Sequence, residues 1–98
     1  MIVDREHVLA KLREQREHIE REYGLRLVGL VGSVARGEAT EASDVDVFAD
    51  ITGRPSLFDI AGAELELGDD IGKPVQLVFR KNLRPSRRTR MERDLIEL

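Results

Sequence analysis

Asp44-Val45-Asp46-Val47 alternates acidic and β-branched residues and opens an apolar run that continues through Phe48 and Ala49 to Asp50. Period-two alternation suits a strand with unlike faces, valines toward a core and carboxylates toward the other side. A helix would scatter the same four residues around its circumference. Two more runs of strand length, Leu25–Val31 and Val75–Phe79, sit before and after it, and both are rich in β-branched residues. Three short strands separated by longer segments rule out an all-helical chain.

The separating segments carry helical periodicity. Residues 4–22 place Val8, Leu12, Ile19 and Tyr23 on one stripe with Leu9 at its edge, and charged residues fill the rest. Asp4 suits the N-cap, and Gly24 the position just past the C-terminus. Ser33 to Gly37 has room for one or two helical turns, followed by a polar loop over 38–43. Ser56 reads as the N-cap of a helix reaching about Ile71. Its apolar set of Leu57, Phe58, Ile60, Ala61, Leu65, Leu67 and Ile71 spans a wide arc, as for a helix packed on a sheet and touched from a second side. A last helix starts near Pro85, and residues 95–98 either end it or form a short edge strand. The order indicates one small α/β (α+β) domain over 1–98, with helices on one face of a small mixed sheet. Residues 1–24 form its leading helix and 25–98 its core.

Length and composition bound the function. With 98 residues, no cysteine and 36% charged side chains, the chain has room for one domain and offers no thiolate chemistry. No apolar run approaches the ~18 residues of a membrane span. The N-terminus lacks a signal-peptide pattern. A cytoplasmic protein is expected. Charge is uneven: residues 80–93 carry seven basic residues against Glu92, a local +6, and the remainder is −9. That polarity suggests an anionic partner for the segment or an internal match to the acidic part. Direct nucleic-acid binding is disfavoured, because the other −9 repels phosphate backbones and only one Tyr and three Phe offer stacking.

Two places carry chemistry. Gly32-Ser33 at a strand end can admit a phosphate to the backbone, with the Ser33 hydroxyl as a donor. Asp44 and Asp46 lie about 6.6 Å apart along one strand face, within reach of a shared cation. Mg²⁺ commonly takes one or two carboxylates together with substrate phosphates and water. A solvated acidic face is the plainer reading of the same pair. His7 and His18 are about 16 Å apart along a helix and cannot share a metal. Tyr23 reads as a core or rim residue.

Taken together, Gly32-Ser33, ten residues, then Asp44-x-Asp46 match the GS-x10-D-x-D pattern of the polymerase-β-like nucleotidyltransferase superfamily. Within it, GSVARGEATEASDVDVFAD resembles the minimal nucleotidyltransferases (MNT), as do the start of the 56–71 helix and the 72–78 segment. The resemblance covers about residues 25–98. It implies a polymerase-β-like palm that transfers an NMP group, commonly AMP from ATP, using Mg²⁺. It also implies an antitoxin paired with a HEPN-domain ribonuclease toxin, whose tyrosine hydroxyl would be the acceptor. By correspondence Gly32, Ser33, Arg36 and Ser43 would contact the nucleotide, and Asp44 and Asp46 the metal. Arg36 has a second reading, as an ion-pair partner of Asp44, Asp46 or Glu38.

One position departs from the family pattern. A third carboxylate usually stands on the strand after the long helix, and here that place holds Gln76. A carboxamide can ligate a metal but is no useful base, and losing a general base costs roughly 10²–10⁴ in rate. Asp50 is a poor substitute, about 13 Å beyond Asp46 along an extended strand. The alternative function is therefore a catalytically impaired MNT-fold protein that neutralises its toxin by stoichiometric binding.

Overall fold

The computed structural model describes residues 4–98. Helix α1 spans Arg5–Tyr23; the Asp4 carboxylate accepts from the Glu6 amide, and Gly24 closes the helix in the left-handed region at φ 68°. Strand β1 (Leu25–Val31) follows at once, then the five-residue helix α2 (Gly32–Arg36). Strand β2 is Val45–Ile51, helix α3 Leu57–Ile71 and strand β3 Val75–Phe79. A single 3-10 turn, Arg80–Asn82, leads to helix α4 (Pro85–Asp94) and a two-residue strand β4, Ile96–Glu97. The chain end is thus an edge strand rather than more helix.

The four strands form one mixed sheet in the order β3-β2-β1-β4. β2 runs antiparallel to β1 and parallel to β3, and β4 pairs antiparallel with β1 at Gly29 and Leu30. α1 and α3 pack together on one face. Their buried side chains (Val8, Leu12 and Ile19 from α1, Ala63 and Leu67 from α3) meet Val45, Val47 and Ala49 of β2 and Leu25, Leu27 and Leu30 of β1. The alternation in β2 therefore resolves as expected, with valines inward and Asp46 on the other face.

α3 starts in a capping box: the Ser56 hydroxyl accepts from the Asp59 amide, and the Asp59 carboxylate accepts from the Ser56 amide. Its wide apolar arc is only half used. Ala63, Leu67 and Ile71 are buried, whereas Leu57, Phe58 and Leu65 are 84%, 88% and 69% exposed. The side expected to be touched a second time faces outward. α1 and α3 are also tied by polar contacts, since Glu66 accepts from the Tyr23 hydroxyl at 2.8 Å and lies 2.8 Å from His18 Nε2. His7 Nε2 lies 3.2 Å from the Ile71 carbonyl. Both histidines thus join α1 to α3, and Tyr23 packs at the core's rim.

Candidate active site

The site forms where β1 ends and β2 begins. Antiparallel pairing sets Val31 opposite Asp46, so the turn after β1 faces the carboxylate. Gly32 takes φ 79°, a left-handed conformation natural to glycine, and a Cβ there would lie 2.6 Å from Asp46 Oδ2. Only glycine lets the turn come this close. The helix also starts at Gly32, one residue before the expected Ser33, and Asp44 stands immediately before β2 rather than inside it.

A cleft of about 320 Å³ is lined by Gly32, Ser33, Arg36, Asp46, Arg87, Arg90, Met91 and Asp94. Four of the expected residues, Gly32, Ser33, Arg36 and Asp46, thus meet in one place. Asp46 is half-buried, and its proton affinity is raised above the ordinary aspartate value, first by burial and then by the charge of Asp44. Arg87 and Arg36 oppose that rise. Asp44 itself is exposed. Parallel pairing sets Gln76 opposite Asp46, and Val75 and Leu77 on either side of it are buried. Gln76 therefore shares the face that carries Asp46 and is open to solvent.

Two expected residues are otherwise engaged. Ser43 closes the 40–43 turn: its hydroxyl accepts from the Thr40 amide at 2.9 Å, and its own amide donates to the Thr40 carbonyl. It does not line the cleft. Arg36 donates from Nε to Glu38 at 3.0 Å and from Nη1 to Asp94 at 2.7 Å. Glu38 is one of the three partners anticipated, the other two being Asp44 and Asp46, and the pairing with Asp94 ties α2 to α4. Asp50 pairs with Arg80 at 3.0 Å, remote from the cleft lining.

The cleft's other cations were not foreseen as site residues. Arg87, Arg90, Met91 and Asp94 recur at helical spacing and present one face of α4 to the cleft. The sequence signal was there, because an arginine run sorted at 3.6 residues per turn separates these from Arg88, which pairs with Glu92 at 2.7 Å. A roomier groove of about 730 Å³ runs between α3 and Lys73, Pro74 and Val75, away from the paired carboxylates. Chemistry rather than volume marks the site.

A divalent cation can be weighed against these donors. Among the described residues no group of three or more His, Cys, Asp or Glu gathers for a metal. Two carboxylates beside an open cleft instead suit a cation that completes its shell with phosphate oxygens and water, as Mg²⁺ does.

The nucleotidyltransferase domain family matches residues 12–98. The chain belongs to that family. It is 34% identical over 79 residues to the protein adenylyltransferase MntA of Thermococcus cleftensis, covering 81% of this chain and 80% of that one. A protein assigned as a protein adenylyltransferase in Methanocaldococcus jannaschii is 30% identical over 86 residues, 87% of this chain and 88% of the relative. A solved structure assigned as a minimal nucleotidyltransferase superposes with a TM-score of 0.71 and 35% identity, over 92% of this chain and 95% of that one. A toxin–antitoxin structure with AMP-PNP shares the fold at a TM-score of 0.57 and 18% identity, over 84% and 61%. The chain is thus a nucleotidyltransferase of the minimal type, with the mixed sheet and helices expected of it. Among the described residues no helix is long and apolar enough to cross a membrane.

Proposed function

We propose that this nucleotidyltransferase moves an AMP group from ATP to a hydroxyl, a tyrosine's, on a cognate HEPN toxin, and thereby acts as its antitoxin. The observation that carries the reading is the Asp46 carboxylate held against the Gly32 turn in a cleft open to a substrate. The adenylyltransferase relatives and the toxin–antitoxin neighbour support the acceptor class. In the transfer, the acceptor oxygen bonds to the α-phosphorus while the bond to the bridging α,β oxygen breaks, and pyrophosphate leaves with the electron pair. Gly32 lets the phosphate chain approach the backbone, and the Ser33 hydroxyl donates to it. Asp44 and Asp46 would hold Mg²⁺, which neutralises charge on the phosphates when bound. The hydroxyl proton passes to water or to a carboxylate brought by the partner, because Gln76 cannot accept it.

That last point favours a second reading, stoichiometric neutralisation without transfer. Incubating the purified partner with Mg²⁺ and labelled ATP separates the two. Label transferred to the partner by the wild type, and not by Asp46→Asn, is the expected result. An unlabelled but fully inhibited toxin would establish the second reading instead.

A further inference from the structure

An ATP molecule brings several negative charges to a chain that already carries −9 outside residues 80–93. One divalent cation does no more than cancel Asp44 and Asp46. Arg36, the cation nearest the glycine turn in sequence, already donates to Glu38 and Asp94. The charge on the phosphates must be met by something else in the cleft.

α4 supplies it. Arg87 and Arg90 both line the cleft with Gly32, Ser33 and Asp46. Neither has an ion pair or hydrogen bond to another described side chain, in contrast to Arg88 on the same helix, which is paired with Glu92. α4 in turn is pinned beside the glycine turn by the Arg36–Asp94 ion pair, in which Asp94 is only 16% exposed. We infer that Arg87 and Arg90 are the phosphate-holding cations of this site, gripping the β and γ phosphates of the nucleoside triphosphate, and that Arg36 positions α4 through Asp94. The inference rests on the nucleotide reading above. It also gives the two arginines a part in the transfer, because the pyrophosphate that departs gains charge where they stand. Guanidinium groups suit this task, with planar N–H forks matched to phosphate oxygens.

The test is titration calorimetry of the full chain with Mg²⁺ and ATP, comparing wild type with Arg87→Gln, Arg90→Gln and the control Arg88→Gln. All three remove one charge from the same exposed helix, so equal melting temperatures certify equal folding. Arg87→Gln and Arg90→Gln should each weaken binding about 10- to 100-fold, the range for a lost charge-assisted hydrogen bond. Arg88→Gln should stay within about two-fold, and Arg87→Lys should recover part of the loss. A second arm uses inorganic tripolyphosphate, which should compete with ATP on the wild type and poorly on Arg87→Gln. If all three variants bind as tightly as wild type, or if Arg88→Gln loses as much as the others, the inference is overturned while the nucleotide reading stands. A wild type that binds no Mg²⁺–ATP overturns both.

Discussion

Asp46 carries its charge at a cost in the metal-free protein. Burial and the neighbouring Asp44 raise its pKa in the folded state, so folding favours its protonated form. Stability linked to that proton is fully present below the ordinary aspartate range and is lost as pH rises through the raised value. Asp46→Asn removes the charge, and no described hydrogen bond is lost with it. In chelator-treated protein, the variant should melt above wild type at neutral pH, and the gap should close as pH falls below the ordinary range. Melting curves across pH check this; a gap that persists in acid would trace the gain to packing instead. Gln76→Asp is the opposite experiment. It puts a third carboxylate opposite Asp46 in the parallel ladder, which should lower the metal-free melting temperature. With Mg²⁺, ATP and the partner present it should raise transfer ten-fold or more, within the general-base range of roughly 10²–10⁴. A folded variant that binds nucleotide yet transfers no faster would show that position 76 does not limit the reaction.

At the level of elements, α3 shows where sequence reading succeeds and where it stops. Its start at Ser56 and its end near Ile71 were legible because capping is local chemistry between residues a few positions apart, and the structure adds Asp59 to the N-terminal cap and Gly72, in the left-handed region, to the C-terminal one. Which part of its apolar arc is buried depends on what lies across from it, and no local pattern reports that. Leu65 and Leu67 make the difference measurable, being two residues apart on one helix but 69% and 0% exposed. Leu67→Ala opens a cavity in the core and should cost about 2–5 kcal/mol. Leu65→Gln should stay within about 0.5 kcal/mol. Denaturant unfolding of the two variants decides it, and a large loss at Leu65 would mean that its face is covered in solution. The same limit explains Ser43. The family resemblance implied a nucleotide contact for it, whereas its hydroxyl accepts from the Thr40 amide in the 40–43 turn. The face that Asp46 takes was legible because a period of two leaves no choice once β2 forms.

Across the whole molecule, the site is closed by the far end of the chain, and this was the part least legible in advance. Residues 80–93 read as a block of charge, whereas in the structure Arg80, in the turn before α4, pairs with Asp50, and the faces of α4 send Arg87 and Arg90 to the cleft and Arg88 to Glu92. What brings α4 to a glycine turn some 55 residues earlier in the sequence is the Arg36–Asp94 pair together with β4, which adds to the free side of β1. Sequence patterns left residues 95–98 open between helix and strand because two paired residues make almost no periodicity. β4 also gives a handle on the site from outside it. Gly29 lies opposite Glu97, and a Cβ there would collide with the carbonyl oxygen of Ile96 and the side chain of Leu95. Gly29 is not among the residues lining the cleft, so Gly29→Ala should act on the site by displacing β4 and slackening the helix before it. Hydrogen exchange should quicken over residues 84–98 while α1 and α3 stay protected. Affinity for Mg²⁺–ATP should fall by up to the ~10- to 100-fold assigned to the α4 arginines. Faster exchange at the C-terminus with undiminished affinity would mean that Arg87 and Arg90 reach the cleft without the strand that follows them, and that the Arg36–Asp94 pair alone holds α4 in place.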